Sequence, residues 1–281
     1  MHEPPDPQRV RALVQSALAE DVGQRDVTTE ITVHESARAR ATFVAKQELV
    51  VAGLDVALCA FQALDPQVAW EPLGREGERF FPGTVIGTFE GRARALLTAE
   101  RVALNFLQRL SGVATLTRRF VDAVAGTPAR IRDTRKTTPL LRFLEKHAVE
   151  VGGGVAHRAG LDSGILVKDN HVRLAGSVRQ ATLRAVAGAR GLLVEIEVER
   201  LEQIEEAIEA GAQMVLVDNF TPAEVRLAIE QVAGRVPVEV SGGVRLDNVR
   251  AYAEAGPDFI AIGALTHSAP AMDISLELEP A

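Results

Sequence analysis

At 281 residues, 47% hydrophobic and 25% charged, the chain can bury one large core or two unequal ones, and its composition is that of an ordinary globular protein. A net charge of -7, with one Trp and one Tyr, argues against an extended nucleic-acid surface, which needs basic stripes and stacking aromatics. The single Cys59 rules out an internal disulfide and a cysteine zinc site, and no apolar run approaches the roughly 20 residues that span a bilayer.

The start of the chain, residues 1–6, has neither the basic region nor the apolar core of a signal peptide, so a cytoplasmic protein is expected. Val10, Leu13, Val14, Ala17 and Leu18 recur at helical spacing and predict an amphipathic helix over 8–20. From about 38 to 90 the signals are strand-like, with runs at 39–45, 49–52 and 84–89 and turns at Gly74, Gly77 and Pro82-Gly83. A long helical pattern covers 98–125, with an interruption expected near Ser111-Gly112.

After Pro128 short apolar runs alternate with helical stretches. The runs lie at 129–132, 165–167, 192–196, 214–217, 236–240 and 259–262, and helices are predicted over 201–210, 222–232 and 246–255. Thr221 fits an N-cap with Pro222 at the first helical position, and Gly211 and Gly256 fit helix stops. Six such βα units imply a parallel sheet buried on both faces, either an open doubly wound sheet or a barrel.

The residues that follow each run favour a barrel. They are Asp133 to Lys136, Lys168-Asp-Asn170, Glu195-Ile-Glu197, Asp218-Asn219, Ser241-Gly-Gly243 and Gly263 to His267. Each alone also fits an ordinary turn or cap, but six in succession are a pattern, and along a parallel barrel those ends converge on one face. Among them sit two of the chain's four lysines, Lys136 and Lys168, with Arg135, His157 and Arg158 nearby in sequence. Positive charge gathered in an acidic protein suggests a small, multiply anionic ligand. Ser241, Gly242, Gly243 and Gly263 offer backbone N–H groups for a phosphate, while Glu197 and Asp218 offer carboxylates for Mg2+.

In that order, Thr134-Arg-Lys-Thr137, Gly152-Gly-Gly154, His157-Arg158, Lys168-Asp-Asn-His171, Glu195-Ile-Glu197, Asp218-Asn219, Ser241-Gly-Gly243 and Gly263-Ala-Leu-Thr-His267 resemble quinolinate phosphoribosyltransferase. Glu20 to Gly23, Asp26 to Thr29 and Asp273 to Leu276 extend the resemblance over nearly the whole chain, while Val240 departs from the Ser or Ala of many members. It implies an N-terminal α+β sandwich over 1–112, joined by the tail 270–281, and an incomplete α/β barrel over 113–269.

The implied reaction joins quinolinate to phosphoribosyl pyrophosphate and releases CO2 and pyrophosphate on the route to NAD. Carried over by position, Arg135, His157, Arg158 and Lys168 would hold the quinolinate carboxylates, with Arg101 lent by the partner of a homodimer. Lys136 would act with Glu197 and Asp218, through Mg2+, on the pyrophosphate. Ser241, Gly242, Gly243, Gly263 and His267 would take the 5′-phosphate. Three other readings are weaker: a molybdenum-operon relative, a Schiff-base aldolase using Lys136 or Lys168, and a phosphometabolite-binding regulator. His2 and His34 are expected at the surface, and His147 and His171 in supporting roles.

Overall fold

The computed structural model describes residues 4–281, so His2 lies outside the described residues; His34 is exposed. The chain divides into two units, one of residues 1–116, 143–152 and 269–281, the other of 117–142 and 153–268. In chain order the elements begin α1 (Pro7–Val22), α2 (Val27–Thr32), β1 (Arg38–Ala45), β2 (Leu49–Val50), α3 (Leu54–Leu64), β3 (Ala69–Pro72), β4 (Arg79–Phe80), β5 (Val85–Arg92) and α4 (Ala93–Ala123). They continue β6 (Arg130–Arg132), α5 (Arg142–Val151), β7 (Ile165–Val167), α6 (Asp169–Ala175), α7 (Val178–Gly188), β8 (Val194–Val198) and α8 (Glu202–Glu209). The last are β9 (Met214–Asp218), α9 (Pro222–Val232), β10 (Val238–Ser241), α10 (Val249–Glu254), β11 (Phe259–Ala261), α11 (Ala264–His267) and β12 (Ile274–Pro280).

The first unit is built on an antiparallel sheet in the order β12-β1-β5-β3. Its core is aromatic: Phe43 meets Phe89 edge-on at 5.2 Å, and Phe61 lies 4.4 Å from Phe89, which Trp70 stacks against at 4.3 Å. Helix α1 starts as its sequence prescribes, with Asp6 Oδ1 accepting from the Gln8 N–H at 2.8 Å and Pro7 at the first position. Helix α3, by contrast, lies inside the stretch that looked strand-like. Its N-cap is Gly53 at φ 96°, and the cap acceptor comes from 22 residues on, where Glu76 Oε1 accepts from the Leu54 N–H at 2.7 Å. No local start signal marks it.

The interruption expected at Ser111-Gly112 does not occur, and α4 runs through it. Both residues serve neighbours packed against the helix. Ser111 Oγ accepts from the Ala52 N–H at 3.1 Å, and a Cβ on Gly112 would stand 2.1 Å from the Pro270 carbonyl oxygen. Residues 143–152, inside the span read as barrel, fall in the first unit because Leu144, Glu145, Ala148 and Val149 are buried there. Arg109 of α4 grips the Glu145 carboxylate at 2.7 Å and donates to the Ala269 carbonyl at 2.8 Å.

The second unit is an α/β array whose six parallel strands stand in the order β6-β11-β10-β9-β8-β7. Consecutive β6 and β7 occupy opposite edges, so the barrel is incomplete. All five residues of β8 are buried, as expected of a strand covered on both faces. Helix α9 opens with Thr221 and Glu224 capping each other, and Gly211 and Gly256 both sit at φ 97° just past α8 and α10. No helix among the described residues is long and apolar enough to cross a membrane.

Candidate active site

The carboxyl ends of the second unit's strands surround a cavity of about 250 Å3. Arg135, Lys136, His157, Arg158, Lys168 and Ser241 all line it, together with Glu239 and the apolar Leu166, Leu216 and Ala261. The cationic side chains scattered over 34 positions of sequence therefore meet in one place. Short strands do this: each exposes its first loop residues at the same end of the sheet.

Arg135 and Lys136 follow β6. The Lys136 N–H donates to Thr134 Oγ1 at 3.0 Å, and its carbonyl accepts from the Thr266 hydroxyl at 2.8 Å, which fixes the loop while Lys136 itself stays exposed. A Cβ on Gly263 would lie 2.9 Å from Lys136 Cδ and 3.2 Å from the His267 ring, so these three residues pack closely. Gly242, at φ 94°, is pressed against Asn219, whose side-chain oxygen would be 2.3 Å from an added Cβ. The Asn219 N–H in turn donates to the Ser241 carbonyl at 2.9 Å. Gly243 at φ 63° continues the turn. A side chain at Gly242 or Gly263 would crowd both loops, which glycine alone leaves open.

Lys168 follows β7 and donates to Glu197 Oε2 of β8 at 2.5 Å. Its backbone N–H donates to His171 Nδ1 at 2.9 Å, a supporting role for that imidazole. Glu197 is buried, whereas Asp218, on the next strand, is half-buried and accepts from the Asn219 amide at 2.6 Å. Carboxylate oxygens on neighbouring strands are the donor type that Mg2+ takes, and Glu197 Oε2 is already engaged by the Lys168 amine. His267 stays exposed, with Nδ1 2.6 Å from Ser268 Oγ. Arg101 lies in the first unit, exposed on α4.

Beneath the cations lies a buried polar cluster in which Glu239 is fully buried and Glu195 is 2% exposed. Arg132 Nη1 donates to Glu239 Oε2 at 2.5 Å and its guanidinium sits 4.6 Å over the Phe259 ring. His157 Nε2 lies 3.2 Å from Glu195 Oε2 and 3.6 Å from Glu239 Oε1. Burial pushes Glu195 up to about 7 against the pull of Arg132, Arg158 and Lys168. Burial and then Glu195 push Glu239 likewise to about 7, with Arg132 and His157 opposing. Burial and the neighbouring Arg135 lower Arg158, which Glu195 partly restores.

His157 was grouped with the substrate-holding cations, yet both of its ring nitrogens face protein groups: Nδ1 accepts from the Arg158 N–H at 2.7 Å and Nε2 faces the two glutamates. Glu239 and Arg132 had no role in the sequence reading. For Glu239 the signal was a charged residue amid apolar ones in a strand that should be buried on both faces, in Val238-Glu-Val240, whereas Arg132, beside Asp133 and two positions after Arg130, carried none.

Comparison with known proteins bears on what such a site does. The family model described as quinolinate phosphoribosyl transferase, N-terminal domain, matches residues 26–111, and that of the C-terminal domain matches residues 113–277. A nicotinate-nucleotide pyrophosphorylase [carboxylating] of Mycobacterium leprae is 44% identical over 95% of this chain and 96% of its own. A probable enzyme of the same name from Bacillus subtilis is 40% identical over 96% and 93%. The crystal structure of NadC from Streptococcus pyogenes superposes with a TM-score of 0.96 at 37% identity, covering all of both chains. Two family models spanning nearly the whole length, and relatives at this identity, place the chain in the quinolinate phosphoribosyl transferase family.

Proposed function

We propose that this protein transfers the phosphoribosyl group of phosphoribosyl pyrophosphate to quinolinate and releases CO2, forming nicotinate mononucleotide in NAD biosynthesis. The observation that carries it is the cavity ringed by Arg135, Lys136, Arg158 and Lys168 in a chain of net charge -7. A dicarboxylate and a pyrophosphate are the ligands such a site suits. Arginine's planar fork matches a carboxylate's two oxygens, while lysine serves as a point charge.

Arg135, Arg158 and Lys168 hold the two carboxylates, with His157 beside them. Arg101 reaches the site from a second copy, so the working unit is a homodimer, in the cytoplasm. Lys136 faces the phosphoribosyl donor. Ser241, Gly242, Gly243, Gly263 and His267 receive the 5′-phosphate. Glu197 and Asp218 would hold Mg2+, which when bound offsets the charge of the departing pyrophosphate. The pyridine nitrogen's lone pair forms the new bond to the ribose carbon as the bond to pyrophosphate breaks. The chain supplies position and charge, with no nucleophile of its own. The positive charge on the ring nitrogen stabilises the electron pair that stays on the adjacent carbon when its carboxylate departs as CO2, and that pair then takes up a proton.

An aldolase would need a lysine amine free to attack a carbonyl, whereas the Lys168 amine is held against Glu197 at 2.5 Å. The test is turnover of quinolinate with phosphoribosyl pyrophosphate and Mg2+, read as CO2 and pyrophosphate released in equal amounts. Nicotinate leaves one set of cations without a partner, and should react orders of magnitude more slowly. Equal use of the two acids would overturn the proposal.

A further inference from the structure

We infer that His157 works in this site as a neutral ring, its one proton on Nε2, and that it positions Arg158 without meeting the substrate as a cation. The inference deepens the proposed function and rests on it only for the kinetic part of its test. Four contacts carry it. The Arg158 N–H donates to His157 Nδ1 at 2.7 Å. Only a bare lone pair can accept that bond, so a second proton on Nδ1 would face the amide hydrogen head-on. The ring's single proton then belongs on Nε2, which faces Glu195 Oε2 at 3.2 Å and Glu239 Oε1 at 3.6 Å. Finally, the His157 N–H donates to Asp133 Oδ1 at 2.7 Å, and Asp133 is fully buried, so the backbone is pinned as firmly as the ring.

The effect passes to Arg158. Its amide is held by the imidazole, and its Nη1 donates to the Gly164 carbonyl at 2.9 Å. Both ends of the residue are therefore fixed before any substrate arrives, which is the preorganisation a carboxylate clamp requires. Glu239 takes part from a distance, since its other oxygen holds Arg132 across the sheet at 2.5 Å.

The same three side chains, His157, Glu195 and Glu239, have ligand atoms all within 4.8 Å of one another and could be taken for a metal site. The tautomer argues against it. Nδ1 already uses its lone pair on an amide, so a metal on Nε2 would need the imidazolate anion. The guanidinium of Arg132 also occupies one of the carboxylates.

The first measurement needs neither substrate nor a variant's activity. In the full-length protein labelled with 15N-histidine, a long-range proton–nitrogen spectrum should give Nδ1 of His157 the shift of a bare nitrogen and Nε2 that of a protonated one at pH 7.5, with His157→Gln identifying the signal. Two protonated nitrogens would overturn the inference, whatever the substrate proves to be. The second compares His157→Asn, whose side-chain oxygen can replace Nδ1 as acceptor, with His157→Phe, which cannot accept. The Phe variant should raise the quinolinate KM about tenfold, the size of one lost buried hydrogen bond, and the Asn variant should recover most of that. The KM for phosphoribosyl pyrophosphate should stay put in both. If Asn fails as badly as Phe, the ring's charge was needed and the positioning role is lost.

Discussion

Arg135 and Lys136 are neighbours in the chain and both line the cavity, Arg135 half-buried and Lys136 exposed against Gly263. The proposed function gives them to different substrates, which predicts a split in kinetics. Arg158→Ala should raise the quinolinate KM by roughly 10- to 100-fold, the value of a charged hydrogen bond, while Lys136→Ala should act mainly on the KM of the phosphoribosyl donor. Steady-state kinetics with each substrate varied in turn decides it, and an Arg158→Ala enzyme with an unchanged quinolinate KM would remove Arg158 from the clamp. The site's outer ring was legible in the sequence because loop residues after short apolar runs announce themselves by polarity. Its floor was not. Glu239 and Arg132 lie within strands, where the chain offers no means of telling a charge inside the barrel from one at its rim.

At the scale of elements, legibility followed where each helix and strand finds its caps. Helix α9 carries its own start signal in Thr221, Pro222 and Glu224, and was placed to the residue. Helix α3 borrows its cap from Glu76, which accepts from the Gly53 and Leu54 N–H groups at 2.8 and 2.7 Å, so its start was invisible locally. Burial pushes Glu76 up to about 7 despite those two donors, which pull it down. The unfolded chain gives up this proton near the ordinary value of 4.5. Between the two values the folded state binds more protons, so stability falls as pH rises from about 4.5 to about 7 and is flat above. Glu76→Gln keeps an acceptor for the helix and removes the titration. Its melting temperature should therefore fall less than that of the parent between pH 5 and pH 7. Parallel curves would show that Glu76 does not titrate in this window.

Over the molecule as a whole, the second unit could be anticipated because each βα unit is local, whereas the first unit's sheet draws on both ends of the chain. Strand β12 pairs with β1 in the register Phe43 to Leu276, more than two hundred positions apart, and no periodicity links them. Ile274 and Leu276 of β12 are buried. Removing residues 274–281 should cost roughly 3–6 kcal/mol for those two side chains and leave β1 as a bare edge. Thermal unfolding and light scattering test it, and a truncated protein that melts with the parent would show β12 to be dispensable.

The fit of Gly112 against the Pro270 carbonyl also has a consequence for how the protein is made. During synthesis residues 1–116 leave the ribosome well ahead of residues 269–281, with the whole second unit translated in between. Until then the close-packed face at Gly112 and the outer edge of β1 stand without their partners. The barrel can fold as it emerges, but the nascent sandwich must wait with an open edge, which makes it the natural substrate for a chaperone that shields unpaired strands.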